Sequence, residues 1–116
     1  MRIKNYMDAV LTELPNCHDG KGSLQHIGLF SGEEFHSGVR YFHYNILPPN
    51  TSIGLHKHGN DEEVYIILEG TGLMIQGDNS YSVKAGSVIV NPPFGSHSLE
   101  NTGETDMKLL VFEIVI

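Results

Sequence analysis

The residues of this chain that could do chemistry are concentrated in one short stretch, residues 54–70. It contains a His-x-His pair, His56 and His58, followed by the acidic doublet Glu62 and Glu63. Residues two apart on a strand point to the same face, so the two imidazoles can be directed at one point, and Glu63 can join them from the next strand. Two neutral imidazoles and a carboxylate form a ligand set for a divalent transition metal. The stretch therefore predicts a metal site.

A fourth candidate ligand is His97, which follows the turn-forming segment 92–96. The elements that must position these side chains are short apolar runs, separated by many of the thirteen glycines and five prolines. This pattern favours short strands joined by tight turns and an antiparallel sandwich or barrel. Besides a strand carrying His56 and His58, the predicted strands are residues 24–30, 39–47, 64–68, 72–76, 81–84, 87–91, 97–100 and 108–116, with a hairpin turn at 77–80.

The N-terminal segment carries the one helical pattern in the chain. Asn5 could cap a short helix that has Met7, Val10 and Leu11 on one face and ends at Pro15. A strand that pairs with a neighbouring subunit is the alternative for this segment.

The remaining histidines lack ligand spacing. His26, His36 and His43 are predicted to be surface residues or hydrogen-bonded structural residues. Cys17 and His18 adjoin in a polar loop, but a Cys/His nucleophile requires an orienting third group, so this pair is predicted to be two polar loop residues.

Composition limits the class of protein. The 116 residues predict one domain, and the formal charge of −7 comes without any Lys/Arg cluster, which disfavours nucleic acid and anionic membranes as partners. No apolar run approaches the roughly 20 residues that span a bilayer, and residues 1–15 lack the apolar core of a secretory signal. A single cysteine excludes an intramolecular disulfide and suits a reducing compartment, so the predicted location is the cytoplasm.

The spacing around the candidate ligands resembles that of the cupin superfamily, whose signatures are G(X)5HXH(X)3–4E(X)6G and G(X)5PXG(X)2H(X)3N. The matching positions are His56, His58, Glu63, Gly70, Gly86, Pro92, His97 and Asn101. There are two departures, both expected in turns: Gly54 has one residue between it and His56, where the signature has five, and Phe94 occupies the second signature's central glycine position. The resemblance covers residues 54–101 closely and extends loosely over 24–116, which leaves 1–23 as an N-terminal extension.

The resemblance implies a small, single-domain, metal-binding cupin: an all-β, antiparallel double-stranded β-helix, or jelly-roll barrel. It implies one divalent ion, Mn, Fe, Ni or Zn, held by His56, His58, Glu63 and His97 with open coordination positions. Glu63 rather than Glu62 is the expected ligand, because it keeps the six-residue distance to Gly70. Tyr65 and Ile67 share its face and should line the cavity. Ile67, Leu73, Ile75, Val88 and Val90 are expected in the packed interior or the contact between sheets.

Two kinds of function remain open. The first is a metalloenzyme, for which the resemblance implies a dioxygenase, a decarboxylase of small acids or a sugar isomerase or epimerase, with Tyr41, His43 or Tyr65 for proton transfer. The second is a non-catalytic module that binds or senses a small carboxylate or sugar. A structural protein resembling the storage cupins is disfavoured. The resemblance also implies a homodimer, in which pairing of an N-terminal strand between subunits would cover exposed sheet edges.

Overall fold

The computed structural model describes residues 2–116, within which ten strands form two antiparallel sheets. The strands are β1 (Thr12–Pro15), β2 (Ser23–Ser31), β3 (Val39–Leu47), β4 (Ser52–Lys57), β5 (Asp61–Glu69), β6 (Thr71–Gln76), β7 (Asn79–Lys84), β8 (Val88–Asn91), β9 (Ser96–Asn101) and β10 (Met107–Val115). The larger sheet has the order β1-β2-β3-β10-β5-β8 and the smaller the order β4-β9-β6-β7. This is the predicted all-β architecture of two facing sheets. No helix within residues 2–116 is long and apolar enough to cross a membrane.

The strand predictions are confirmed, apart from shifts at the ends. β3 has the predicted bounds, whereas β5 begins three residues early, at Asp61. β4 ends at Lys57, so the expectation that one strand carries both histidines of the His-x-His pair is wrong: His56 lies on β4 and His58 lies just beyond it.

The predicted N-terminal helix is reduced to a single 3₁₀ turn, Tyr6–Asp8. Asn5 does cap it, because its side chain accepts a hydrogen bond from the Met7 N–H at 2.9 Å. The helix does not continue to Pro15, because residues 12–15 instead form β1 and pair with β2 of the same chain. β1 is an edge strand, where a proline without an N–H is tolerated.

The core between the sheets is built from inward-facing apolar side chains, and it differs in part from the expected set. Ile67 is buried as predicted, but Val88 and Val90 are 65% and 55% exposed. Strand parity explains this, because Ile89 between them is the side chain of β8 that packs on the core. On β6, Leu73 and Ile75 are half-buried on the outer face and Met74 points inward. The fully or largely buried apolar residues are Leu24, Leu47, Ile53, Tyr65, Ile67, Met74, Val83, Leu99, Met107, Leu109 and Val111.

The two departures from the cupin signatures have a simple backbone explanation. Gly70 and Gly86 have φ of 91° and 92°, in the left-handed region that favours glycine. Counting back from His56, the first signature glycine falls on Asn50, whose φ is 64°, and the other departure, Phe94, has φ of 61°. The residues at all four glycine positions of the signatures thus have positive φ, although a bulky residue such as Phe94 is strained in this conformation. Gly54 lies inside β4 and is not the turn residue that was expected.

Candidate metal centre

The register of the strands brings the candidate ligands together from both sheets. In the larger sheet, Glu63 on β5 lies opposite Glu113 on β10, which lies opposite Tyr41 on β3. In the smaller sheet, His56 on β4 lies opposite His97 on β9. Because the two sheets face each other, the carboxylate of one is directed at the imidazoles of the other.

The four predicted ligands lie close enough together to hold one metal ion. One ligand atom from each of His56, His58, Glu63 and His97 lies within 4.8 Å of the other three. Glu62 has no part in this group, because it occupies the alternate face of β5 and is half-buried there. The structure therefore separates the acidic doublet in the way that strand parity predicts.

Hydrogen bonds behind two of the imidazoles determine which nitrogen is available. The Nδ1 of His56 lies 2.7 Å from the carbonyl oxygen of Gly54, and a carbonyl can only accept, so Nδ1 carries the proton. The Nδ1 of His58 lies 3.0 Å from Asp61 Oδ1 and 3.1 Å from Glu113 Oε1, which also accept. In the neutral form of each ring Nε2 is left with a free lone pair, as metal ligation requires. Burial lowers the pKa of His56 to about 4, against the effect of the Gly54 hydrogen bond, so this ring is neutral at pH 7.

The Nε2 atom of His58 is an unsatisfied polar atom. It is buried and has no hydrogen-bond partner among residues 2–116, although Glu63 Oε1 lies 3.4 Å away. With the proton on Nδ1, the Nε2 lone pair faces a carboxylate oxygen, and two acceptors cannot bond to each other. A cation placed between them would satisfy both, so the residues present fit the metal that the resemblance implies.

Glu63 is held as an anion. Only 5% of it is exposed, and burial alone would raise its pKa, but hydrogen bonds from His97 and Tyr41 outweigh burial and lower the pKa to about 2. The Nε2 of His97 lies 3.0 Å from Glu63 Oε1, and the phenol of Tyr41 donates to Oε2. The phenol of Tyr65 lies 3.3 Å from His97 Nε2. Burial, followed by the charge of Glu63, raises the pKa of both phenols, so both remain protonated.

Two further carboxylates behind His58 were not anticipated from the sequence. Asp61 and Glu113 are each only 7% exposed, and Asp61 also pairs with Arg40 at 3.4 Å. Burial, and then the charges of Asp61 and Glu63, raise the pKa of Glu113. A signal for both exists in the sequence: Asp61 has the parity of Glu63 on β5, and Glu113 interrupts the otherwise apolar end of the chain.

Comparison with known proteins shows the family of this chain. The family model of the cupin domain matches residues 43–113, which is more than half of the chain. The chain is a cupin. It is 39% identical over 103 residues to an oxalate-binding protein of Thermotoga maritima, covering 89% of this chain and 85% of that protein.

Solved structures show the same fold. The crystal structure of a predicted oxalate decarboxylase from Thermotoga maritima superposes with a TM-score of 0.94 at 35% identity, covering 98% of this chain and 99% of that one. The cupin domain of Cnp3 from Schizosaccharomyces pombe superposes with a TM-score of 0.82, covering 99% of this chain and 74% of that one. At 13% identity, the second likeness shows the fold alone.

Two of the candidate ligands of this cupin, His58 and Glu63, line a cavity of about 600 Å³ between the sheets. One wall comes from the N-terminal extension, where residues 14–18 lie against the cavity. The ring of His18 stacks on His56, with centroids 3.7 Å apart and an angle of 11°. This contact depends on the close approach of Gly20 to Gly54, since a Cβ on either glycine would overlap the backbone of the other segment.

Cys17 lies in the same wall but is not an activated nucleophile. Burial, followed by the charge of Glu63, raises the pKa of its thiol, which keeps it protonated. The pKa of His18 is lowered, mainly by burial. The backbone of this turn is strained, since Asn16, His18 and Asp19 have φ of 48°, 50° and 60°. The sequence placed Cys17 and His18 in a polar loop, but their position beside the candidate metal centre became visible only in the fold.

The three remaining histidines, His26, His36 and His43, lie in different surroundings. His36 is exposed, as predicted. His26 is hydrogen-bonded, also as predicted, because its Nδ1 lies 2.6 Å from Asn45 Oδ1. Both His26 and His43 line the cavity. The sequence did not indicate this for His26, whereas His43 was one of the candidates for proton transfer. Tyr65 lines it as expected, whereas Ile67 lies deeper, in the core.

Proposed function

We propose that this cupin holds one divalent metal ion through His56, His58, Glu63 and His97 and uses it to bind a small carboxylate. The observation that carries the proposal is the buried, unpartnered Nε2 of His58 beside the anionic Glu63. The imidazole and carboxylate donors suit Mn, Fe, Ni or Zn, and the set differs from the closed, cysteine-rich sites that structural zinc prefers. When bound, such an ion supplies a Lewis acid that attracts carboxylate oxygens.

The similar proteins support a carboxylate as the ligand. The similar sequence is named an oxalate-binding protein and the similar structure a predicted oxalate decarboxylase, so both names refer to the same small acid. The cavity beside the candidate ligands gives such an acid direct access to the metal position.

The two phenols next to the candidate ligands favour binding without turnover. A decarboxylase must deliver a proton to the carbon that loses carbon dioxide. The phenol of Tyr41 donates to Glu63, and the phenol of Tyr65 is engaged with His97, so both are committed to candidate ligands. Their raised pKa values also make both phenols poor acids.

The acidic doublet provides a matched test of the metal site. We expect untagged wild-type protein to contain about one equivalent of a divalent metal by elemental analysis, and Glu63→Ala to lose it. Glu62→Ala is the control, since it removes the neighbouring carboxylate from the other face of β5 and should retain the metal. Metal-free wild type after reconstitution, or metal loss in Glu62→Ala alone, would contradict the ligand assignment.

Calorimetry then tests the ligand. Oxalate should bind the manganese-loaded protein and show no measurable binding to the metal-free protein. Release of carbon dioxide from oxalate by the loaded protein would contradict binding without turnover and show that the protein is a decarboxylase. Equal binding of oxalate with and without metal would contradict a role for the ion in binding.

We also propose a homodimer. The N-terminal extension exposes Ile3, Met7 and Val10 to solvent at 81%, 77% and 83%, close to the edge strand β1. A second subunit would bury apolar side chains of this kind. Light scattering at micromolar concentration should give twice the monomer mass of 12.8 kDa, and a monomer would contradict the proposal.

A further inference from the structure

A second polar group lies in the same cavity and contributes none of the candidate ligands. His26 on β2 and His43 and Asn45 on β3 form this distal polar cluster. The rings of His26 and His43 meet edge to face at 4.6 Å, and His26 Nδ1 lies 2.6 Å from Asn45 Oδ1. His43 also stacks on Tyr41 at 4.0 Å, which places the cluster next to the candidate metal centre.

The strand register shows that the core does not require polar side chains here. On β10, Val111 lies opposite His43 and Leu109 lies opposite Asn45, and both are buried and apolar. On β2, Gly28 lies opposite His43 and leaves its ring free of a facing side chain. Asn45 is only 7% exposed, and a buried amide costs free energy unless it is satisfied. His26 satisfies the Oδ1 of Asn45, so the polar residues at this level bond to each other and are not required by the apolar core, which points to a ligand.

The dimensions of the cavity indicate a ligand larger than oxalate. Its volume of about 600 Å³ lies within the range of roughly 300–1,000 Å³ found for pockets that hold drug-sized ligands. Asn45 lies four residues beyond Tyr41 on β3, which corresponds to ~13 Å of extended strand. An acid bound at the metal through its carboxylate would therefore have to extend along β3 to reach the cluster.

The hydrogen-bonding capacity of the cluster suits a hydroxyl group. The Oδ1 of Asn45 accepts from His26 Nδ1, which leaves the Asn45 amide N–H as a donor and His26 Nε2 as an acceptor. A hydroxyl can both donate and accept, whereas a carboxylate only accepts. Burial, followed by the proximity of His26, lowers the pKa of His43 to about 4, and no Lys or Arg of residues 2–116 lines the cavity. A second carboxylate would lack a compensating positive charge at this end.

We propose that His26, His43 and Asn45 select hydroxyl groups at the far end of an acid whose carboxylate is bound at the candidate metal site. The preferred class of ligand is then a polyhydroxy acid, such as a sugar acid. This inference rests on the proposed function, since it assumes that a carboxylate binds at the metal.

A matched pair of probes isolates the distal hydroxyls. Gluconate and 2-hydroxyhexanoate have the same chain length and the same carboxylate and adjacent hydroxyl at the metal end, and they differ in the remaining hydroxyls. With manganese-loaded wild type we expect calorimetry to show about tenfold tighter binding of gluconate, which corresponds to about 1.4 kcal/mol. Asn45→Leu and His26→Phe should abolish this preference and keep the metal content and the oxalate affinity of wild type. His36→Phe, the same change at an exposed histidine, should keep the preference.

The possible failures are distinguishable. Oxalate binding by the loaded wild type, together with equal affinity for the two probes, would overturn the distal cluster as a selective subsite and leave the proposed function standing. A gluconate preference that persists in both Asn45→Leu and His26→Phe would also overturn it. Failure of the loaded wild type to bind oxalate or gluconate would overturn the proposed function and this inference together. Circular dichroism of each variant confirms that a lost preference does not reflect unfolding.

Discussion

The cavity of this cupin contains two sets of histidines, and they differ in what lies behind the rings. His58 has the carboxylates of Asp61 and Glu113 behind it, both within about 3 Å of its Nδ1. His26 has the neutral amide of Asn45 in the corresponding position. A carboxylate behind an imidazole fixes the tautomer and makes the ring a better metal ligand, whereas an amide fixes the ring without adding charge.

The two sets also differ in how they are assembled. The candidate metal ligands come from both sheets and from the turn after β4, so they converge only when the sheets pack face to face. His26, His43 and Asn45 lie on two neighbouring strands of one sheet and are brought together by β-pairing alone. Histidines thus form part of a convergent candidate metal centre in one case and of a polar surface on a single sheet in the other.

The largest expected difference between the sets is in metal binding. His58→Ala should lower metal affinity at least about hundredfold, because it removes a ligand and leaves two carboxylates without their shared partner. His43→Ala should leave the affinity within about twofold of wild type, because its ring contributes no ligand atom. Competition with a chromogenic chelator measures both. Similar losses in the two variants would mean that the histidines form one functional set.

The carboxylates behind His58 should have the next largest effect. Asp61→Asn and Glu113→Gln should each lower metal affinity about 10- to 100-fold, the range found when partners of ligating histidines are removed. Glu100→Gln, at a half-buried carboxylate on the outside of β9, is the control. Chelator competition again measures the affinity. Unchanged affinity in both variants would show that a carbonyl oxygen behind the ring, such as that of Gly54 behind His56, is as effective as a carboxylate.

Tyr41 contacts both sets, so its phenol and its ring can be separated. Tyr41→Phe removes the hydroxyl that donates to Glu63 and keeps the ring that stacks on His43. We expect metal affinity to fall by up to about tenfold, with the preference for gluconate retained. Tyr44→Phe is the matched control, since that buried ring packs against Tyr6 outside the cavity. Loss of the gluconate preference in Tyr41→Phe would show that the hydroxyl serves both sets.

The smallest expected effect is a pH dependence of the metal-free protein. The pKa of His43 is lowered to about 4 from an ordinary value of 6.5, so between these values the unfolded chain binds more protons than the folded chain. Stability contributed by neutral His43 is therefore full above pH 6.5 and is lost as the pH falls towards 4. For a half-buried ring we expect about 1 kcal/mol after allowance for solvent screening. His43→Phe should show a smaller loss between pH 7 and pH 5 in urea unfolding, and an unchanged slope would contradict the assignment.

The positions of most strands could be predicted from the sequence, because apolar runs bounded by turn residues act locally. The helix predicted between Asn5 and Pro15 is reduced to one turn, because pairing of residues 12–15 with β2 outweighed a weak helical pattern. Val88 and Val90 were placed in the core although they are exposed, because periodicity alone does not say which face of an edge strand is covered.

The sequence by itself determined the cupin fold and the four residues whose side chains could hold a metal, because fixed spacing on strands converts directly into shared faces. Only the tertiary structure decided that Asp61 and Glu113 lie behind His58, that His18 covers His56, and that His26, His43 and Asn45 share the cavity. Apart from that of Asp61 with His58, these contacts join residues that are distant along the chain, such as His18 with His56 and His58 with Glu113. Strand order and the packing of the two sheets bring them together, and the residue spacing within a single segment determines neither.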